Sequence, residues 1–212
     1  MVGERRDPRQ ARFLTLASLR WVVAHRAWTP WHLRCCLRFA ALRLRYPHIV
    51  TEGFVFLGRG ARVRARRGFG RLIIGPWVHI GAGTSIRCHE GTMRIGAKAV
   101  FGADVTVNGY LDIEFGAATL IADDVYVCDF DHRTGDRTRP IKDQGIVTAP
   151  VRIGPEVWIG TKAVVLRGVR IGRGAVIAAA AVVNDDIPAY AVAAGIPAHV
   201  VRERSGRRPV IS

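Results

Sequence analysis

The chain has 212 residues, of which 49% are hydrophobic and 23% charged, and a formal net charge of +15 at pH 7. That apolar fraction excludes a disordered chain and suffices for one core with a small appendage. No uncharged apolar run of roughly 18 residues offers a membrane span, and the N-terminus lacks the order of a signal peptide. The four cysteines, Cys35, Cys36, Cys88 and Cys128, have neither zinc nor disulfide-framework spacing. A cytoplasmic protein with reduced thiols is expected.

The basicity belongs to the front of the chain. Residues 1–72 hold 16 arginines and no lysine against Glu4, Asp7 and Glu52, a net +13, whereas the other 140 residues carry a net +2. Asp7-Pro8 and Thr29-Pro30 each offer a helix N-cap followed by proline at the first helical position. In the first predicted helix Leu14, Ala17, Trp21, Ala24 and Trp28 share a side. In the second, Leu33, Leu37, Ala40, Ala41 and Leu44 do, with Arg34, Arg38, Arg43 and Arg45 around them, and Tyr46-Pro47 stops it. Residues 1–50 thus read as a basic amphipathic helical segment. It either caps the domain that begins after residue 50 or docks on an anionic membrane surface. Nucleic acid is not expected, because no stacking aromatics are interleaved with a basic groove.

From Ile74 onward a period of six residues governs the chain. Aliphatic or aromatic residues open slots at Ile74, Ile80, Ile86; Ile95, Phe101, Val107; Phe115, Ile121, Val127; Ile153, Ile159, Val165; and Ile171, Ile177, Val183. The residue after each slot is small, small, then other, so three hexads make one unit of 18. Each unit is one coil with three short strands. The spacing grows only after third slots, from Ile86 to Ile95, Val107 to Phe115 and Val127 to Ile153, so insertions leave at a single edge. The fold expected is an all-β repeat, a parallel β-helix of about five coils with a short N-terminal helical segment. The repeat domain is placed at 51–202, with a protruding loop at 128–150 and a basic tail at 203–212.

The stretch APVRIGPEVWIGTKAVVLRGVRIGRGAVIAAAAVVNDDIPAYAVAAGIPAHVVR, residues 149–202, resembles the C-terminal half of the hexapeptide-repeat acyltransferases, the group of maltose, galactoside and other sugar O-acetyltransferases. With the histidine loop the resemblance covers about residues 72 to 202. It implies a left-handed helix, a homotrimer, acyl-coenzyme A (acetyl-CoA first) as donor, no metal, and sites in grooves between subunits.

The resemblance places a catalytic histidine after a repeat strand and before the VWIG segment, where this chain has His132. An imidazole can be neutral near pH 7 and take a proton from a sugar hydroxyl, so His132 is the expected general base. Asp129, Asp131 or a backbone carbonyl could orient it. Asn108, on the same side as Cys128 one coil earlier, is the candidate for the developing oxyanion, beside its reading as a structural corner. Asp131, Asp136, Arg139 and Gln144 are candidate acceptor contacts. For the donor the resemblance implies Trp158, Gly160, Thr161 and Ala179, and Arg202, Arg204 or Lys162 could serve as cations for its phosphates. One departure is Asn184-Asp185-Asp186, where relatives often carry a lysine for coenzyme A phosphates.

The acceptor expected is a sugar, polysaccharide or glycolipid intermediate. Two other classes compete with this reading. A non-catalytic trimeric scaffold or lipid-binding module would use the same prism. A γ-type carbonic anhydrase would need a three-histidine zinc site that the histidine spacing does not offer.

Overall fold

In the computed structural model, Arg20, Val23, Ala24 and residues 29–204 are described. The helix expected from Asp7-Pro8 therefore lies, those three residues apart, outside the described residues, as does the tail beyond Arg204. Among the described residues no helix is long and apolar enough to cross a membrane.

The rest is a parallel β-solenoid of three flat faces that matches a left-handed β-helix. The first face stacks Val50–Thr51, Gly70–Ile74, Gly91–Ile95, Asp112–Phe115, Val151–Ile153 and Arg170–Ile171. The second stacks Val55–Leu57, Val78–Ile80, Val100–Phe101, Leu120–Ile121, Trp158–Ile159 and Val176–Ile177, then adds Ala191–Ala194 and an antiparallel His199–Glu203. The third stacks Arg62–Ala65, Ser85–Cys88, Thr106–Gly109, Tyr126–Cys128, Val164–Val165 and Val182–Val183.

There are six coils where about five were expected. The added coil is the first, whose slots Thr51, Leu57 and Val63 keep the period and pair in register with Ile74, Ile80 and Ile86. A polar residue in its opening slot and arginines on its outer positions hide it in the sequence.

The slot residues point inward and stack into one core; Ile74, Ile86, Ile121, Ile159, Val165 and Ile177 are fully buried. The small residues after the slots are needed because coils stack closely. A Cβ on Gly81 would lie 2.0 Å from the Gly102 carbonyl oxygen. Three residues after first and second slots the backbone turns through the left-handed region, as at Trp77, Lys98, Asp104, Asp124 and Lys162. Those two corners are tight. The third has such a turn only in the fifth coil, at Gly168, and is otherwise the open edge where every insertion leaves.

Helix α1, Pro30–Arg45, closes the first coil. Pro30 opens it behind Thr29, whose hydroxyl accepts from the His32 amide, and the Tyr46 amide closes it on the Leu42 carbonyl. It packs through Cys35, Phe39 and Leu42, with Phe39 edge-on to Phe54 at 5.1 Å. The first coil has no preceding coil to donate to its carbonyls, an uncapped edge that must find other partners. The Leu57 carbonyl is met by the Arg38 guanidinium at 3.1 Å and the Cys35 thiol at 3.6 Å. Capping thus selects the Cys35 side of α1, and Leu33, Leu37, Ala40, Ala41 and Leu44 face outward.

Candidate active site

The longest excursion from the open edge departs after Cys128 and rejoins the solenoid at Val151. Its root is fixed by Asp129, which is fully buried. The carboxylate accepts the amides of Tyr110, Leu111 and Asp112, each at 2.8 Å, and its carbonyl accepts the Ala149 amide at 2.9 Å. One residue thereby ties both ends of the loop to the turn of the coil beneath. The sequence offered Asp129 only as an orienting partner for His132; its carboxylate is occupied by backbone instead.

Beyond this anchor Phe130–His132 pairs antiparallel with Ile146–Thr148, setting His132 opposite Ile146. The Asp131 carboxylate takes the Arg167 guanidinium at 2.6 Å, which commits it to the fifth coil rather than to the imidazole. His132 is exposed, and among the described residues no side chain or carbonyl of the same chain hydrogen-bonds its ring. A ladder of rings leads to it. His89 stacks on Tyr110 at 4.6 Å, Tyr110 meets Phe130 edge-on at 4.7 Å, and Phe130 meets His132 at 6.2 Å.

The outer side of the third face continues this edge. Arg87, Asn108 and Cys128 are register partners in successive coils. Asn108 is buried and donates to the Tyr126 hydroxyl at 3.4 Å. Its Oδ1 and the Nε of Arg87 are buried without a hydrogen-bond partner among the described residues. Buried polar atoms are nearly always paired, so two unpaired ones in adjacent coils mark a place where another molecule can supply the missing group. Burial pushes the Cys128 thiol up from its ordinary range, and burial does the same to the Tyr126 phenol. Cys128 is thus a protonated thiol and a poor nucleophile. His89 is held below the usual imidazole range by burial and then by Arg87 and Arg66, so it stays neutral.

The loop tip uses its polar groups on itself. Gln144 accepts the Asp136 amide and donates to the carbonyls of Asp136 and Arg139. Arg139 donates to the Asp143 carbonyl, and Asp136 accepts both hydrogens of Thr138, which lower its pKa. Asp136, Arg139 and Gln144 therefore shape the tip, and contact with an acceptor would fall to their remaining atoms.

The expected donor residues cluster at another edge. Trp158, half exposed, stands in an outward column of the second face with Val176, Val192 and Arg202. Gly160, Thr161 and Ala179 occupy the next corner, where coils touch: the Thr161 hydroxyl donates to the Asp123 carbonyl at 2.8 Å. A Cβ on Gly160 would come 2.6 Å from the Ala179 amide nitrogen. This corner and the His132 loop flank the third face on opposite sides. Asp186, part of the acidic run, accepts the Arg170 amide at 2.7 Å. No group of three or more His, Cys, Asp or Glu suited to a metal occurs among the described residues.

The residues that sequence reasoning missed are Arg87, Tyr126 and the ring ladder. A signal existed: His89, Tyr110 and Phe130 each stand three residues after a third slot.

Residues 150–185 match the family described as bacterial transferase hexapeptide (six repeats). Over 199 residues the chain is 56% identical to a protein of Mycobacterium tuberculosis named a probable acetyltransferase, covering 94% of this chain and 66% of that one. The chain thus spans just under two thirds of that relative's length. Among solved structures, a galactoside acetyltransferase in complex with coenzyme A is similar with a TM-score of 0.54 and 26% identity, over 88% of this chain and 77% of that one. A variant of AntD, an N-acyltransferase from Bacillus cereus, in complex with dTDP and coenzyme A, shares the fold with a TM-score of 0.63 at 19% identity, over 77% and 89% of the two chains.

Proposed function

The chain belongs to the bacterial hexapeptide-repeat transferases, and from that premise we propose that it moves an acyl group, acetyl first, from acyl-coenzyme A to a hydroxyl of a sugar, polysaccharide or glycolipid. The observation that carries this reading is His132, set on a hairpin that the buried Asp129 fixes to the solenoid, with its imidazole open to an incoming molecule.

His132 takes the proton of the acceptor hydroxyl as that oxygen attacks the thioester carbonyl. The oxyanion accepts a hydrogen bond from Asn108 Nδ2 or a backbone N–H. Collapse breaks the carbon–sulfur bond, and the imidazolium returns its proton to the departing thiolate. Direct attack suits a site whose cysteine is held as a thiol.

Gly160, Thr161, Ala179, Trp158 and Arg202 are the proposed donor contacts, with Asp131, Asp136, Arg139 and Gln144 bordering the acceptor. Donor corner and His132 lie on opposite sides of the third face, so a homotrimer, in which the loop of one copy meets the donor corner of the next, is part of the proposal. Acyl-coenzyme A as donor keeps the chain in the cytoplasm, and a glycolipid acceptor would bring its basic front to a membrane. The alternative, a non-catalytic trimeric scaffold, draws on Asp185 standing where relatives often carry lysine.

Calorimetric titration with acetyl-coenzyme A, then with a medium-chain acyl-coenzyme A, tests the reading. Saturable binding near one site per chain is expected, with His132→Ala lowering kcat about 10²- to 10⁴-fold at unchanged donor affinity. No binding of either donor would favour the scaffold.

A further inference from the structure

Helix α1 seals the solenoid with one side and presents another. Leu33, Leu37 and Leu44 are 63%, 62% and 84% exposed. With the exposed Ala40 they recur at i, i+4, i+7 and i+11, a straight apolar stripe pointing away from the coils. Exposed Arg34 and Arg45 border it on one side and exposed Arg43 on the other. Past Ala41, on the Arg45 side, the surface opens into a cavity of about 340 Å³ between α1 and the first coil. Arg38, Arg45, Arg62 and Arg64 line it, and among the described residues no carboxylate does. Arg59, Arg66 and Arg67 are exposed on the same coil, and Glu52 is the sole acid between residues 29 and 72.

We propose that this end of the molecule docks on an anionic phospholipid membrane, with the Leu33–Leu37–Leu44 stripe entering the headgroup–acyl boundary and the four-arginine cavity receiving lipid phosphates. Arginines on both borders of an aliphatic stripe match an interfacial helix lying in the membrane plane. Four arginines lining one cavity, of which Arg38 also holds the Leu57 carbonyl, favour an anion, and phosphate oxygens suit the guanidinium fork. Nucleic acid would leave the leucines unexplained. The same end of a second copy would bring like charges together. The surface is independent of the acyl-transfer reading. His132 leaves after the fourth coil, three strand spacings or about 15 Å along the solenoid from the first, within reach of a lipid-linked acceptor.

The full chain is sedimented with phosphatidylcholine vesicles, with and without phosphatidylglycerol, and compared with the pairs Leu37→Gln/Leu44→Gln and Arg62→Gln/Arg64→Gln. All these side chains are exposed, and circular dichroism confirms folding. The wild-type chain is expected on the anionic vesicles only, with binding reduced about tenfold or more by either pair and by salt, while acetyl-coenzyme A affinity stays at the wild-type value. Absence of vesicle binding, equal binding to neutral vesicles, or binding indifferent to both pairs overturns the proposal. So does a leucine pair that changes the oligomeric mass without altering lipid binding, which would mean that a second copy covers the stripe. Loss of donor binding with vesicle binding intact would sink the transferase reading and leave this one standing.

Discussion

The first and third faces are built from the same hexads, yet the first pairs its outward charges with one another and the third does not. On the first, Asp112 takes the Arg152 guanidinium and lies 3.7 Å from Arg94, while Arg152 also approaches Glu114 at 3.8 Å. Charge there is paired within the chain, although Asp112 Oδ1, with Arg94 at 3.7 Å, is buried without a hydrogen-bond partner among the described residues. On the third, Arg87 Nε and Asn108 Oδ1 are buried and unpaired among the described residues. Since the inward residues of both faces from the second coil on are buried apolar side chains, the difference owes nothing to the core. A repeat fixes the scaffold, and its outward column decides whether a face is finished or awaits something.

Substitutions can break this contrast. The largest effect is expected at Asp129, where the third face meets the loop. Asp129→Ala strips three backbone amides of their acceptor, at about 1 kcal/mol each, so a destabilisation of about 3 kcal/mol is expected in urea unfolding, with loss of acyl transfer. An unaltered midpoint would show that the loop root needs no anchor. Next comes Asn108→Ala. If Nδ2 meets the oxyanion, kcat falls about 10²-fold with little change in KM; an unchanged kcat would return Asn108 to a structural corner.

A pH test sharpens the contrast further. His89 is lowered by burial first and by Arg87 and Arg66 next, so it is neutral in the folded chain. A base with a lowered folded pKa contributes stability above its unfolded value, near 6.5, and loses it as pH falls through the folded value. Thermal midpoints should decline below about pH 6.5, and His89→Phe, which keeps a ring against Tyr110, should flatten the decline. Arg87→Met should raise the His89 titration midpoint followed by proton NMR. A midpoint that does not move would separate Arg87 from the ladder.

Much of this architecture was legible because the hexad is a physical constraint with a sharp period: an inward aliphatic every sixth position and a small residue where coils touch. The first coil escaped because Thr51 opens it, and the docking side of α1 escaped because two stripes compete on that helix. Leucine spacing favours one side, but the orphan Leu57 carbonyl and the Phe54 ring select the other, and neither is local to the helix. His132 was singled out by the family resemblance, from its place after a repeat strand and before the VWIG segment, while the hairpin that presents it was not foreseen. The task of Asp129 was not, because its partners, Tyr110 to Asp112, belong to the preceding coil and meet it only once the coils stack.

The smallest effect is expected on the first face. Arg152 is about one-third exposed, and its acidic partners Asp112 and Glu114 are exposed by 27% and 49%. Water and salt screen such a pair, so its contribution is at most about 1 kcal/mol. Arg152→Met keeps the aliphatic stem over the sheet and removes the charge, leaving Asp112 with Arg94 at one side and solvent at the other. The expected outcome is a midpoint within about 1 kcal/mol of the wild type and unchanged kcat. A large loss of activity would mean that the first face also meets substrate or a neighbouring copy, and that its closed charge ladder is itself part of a site.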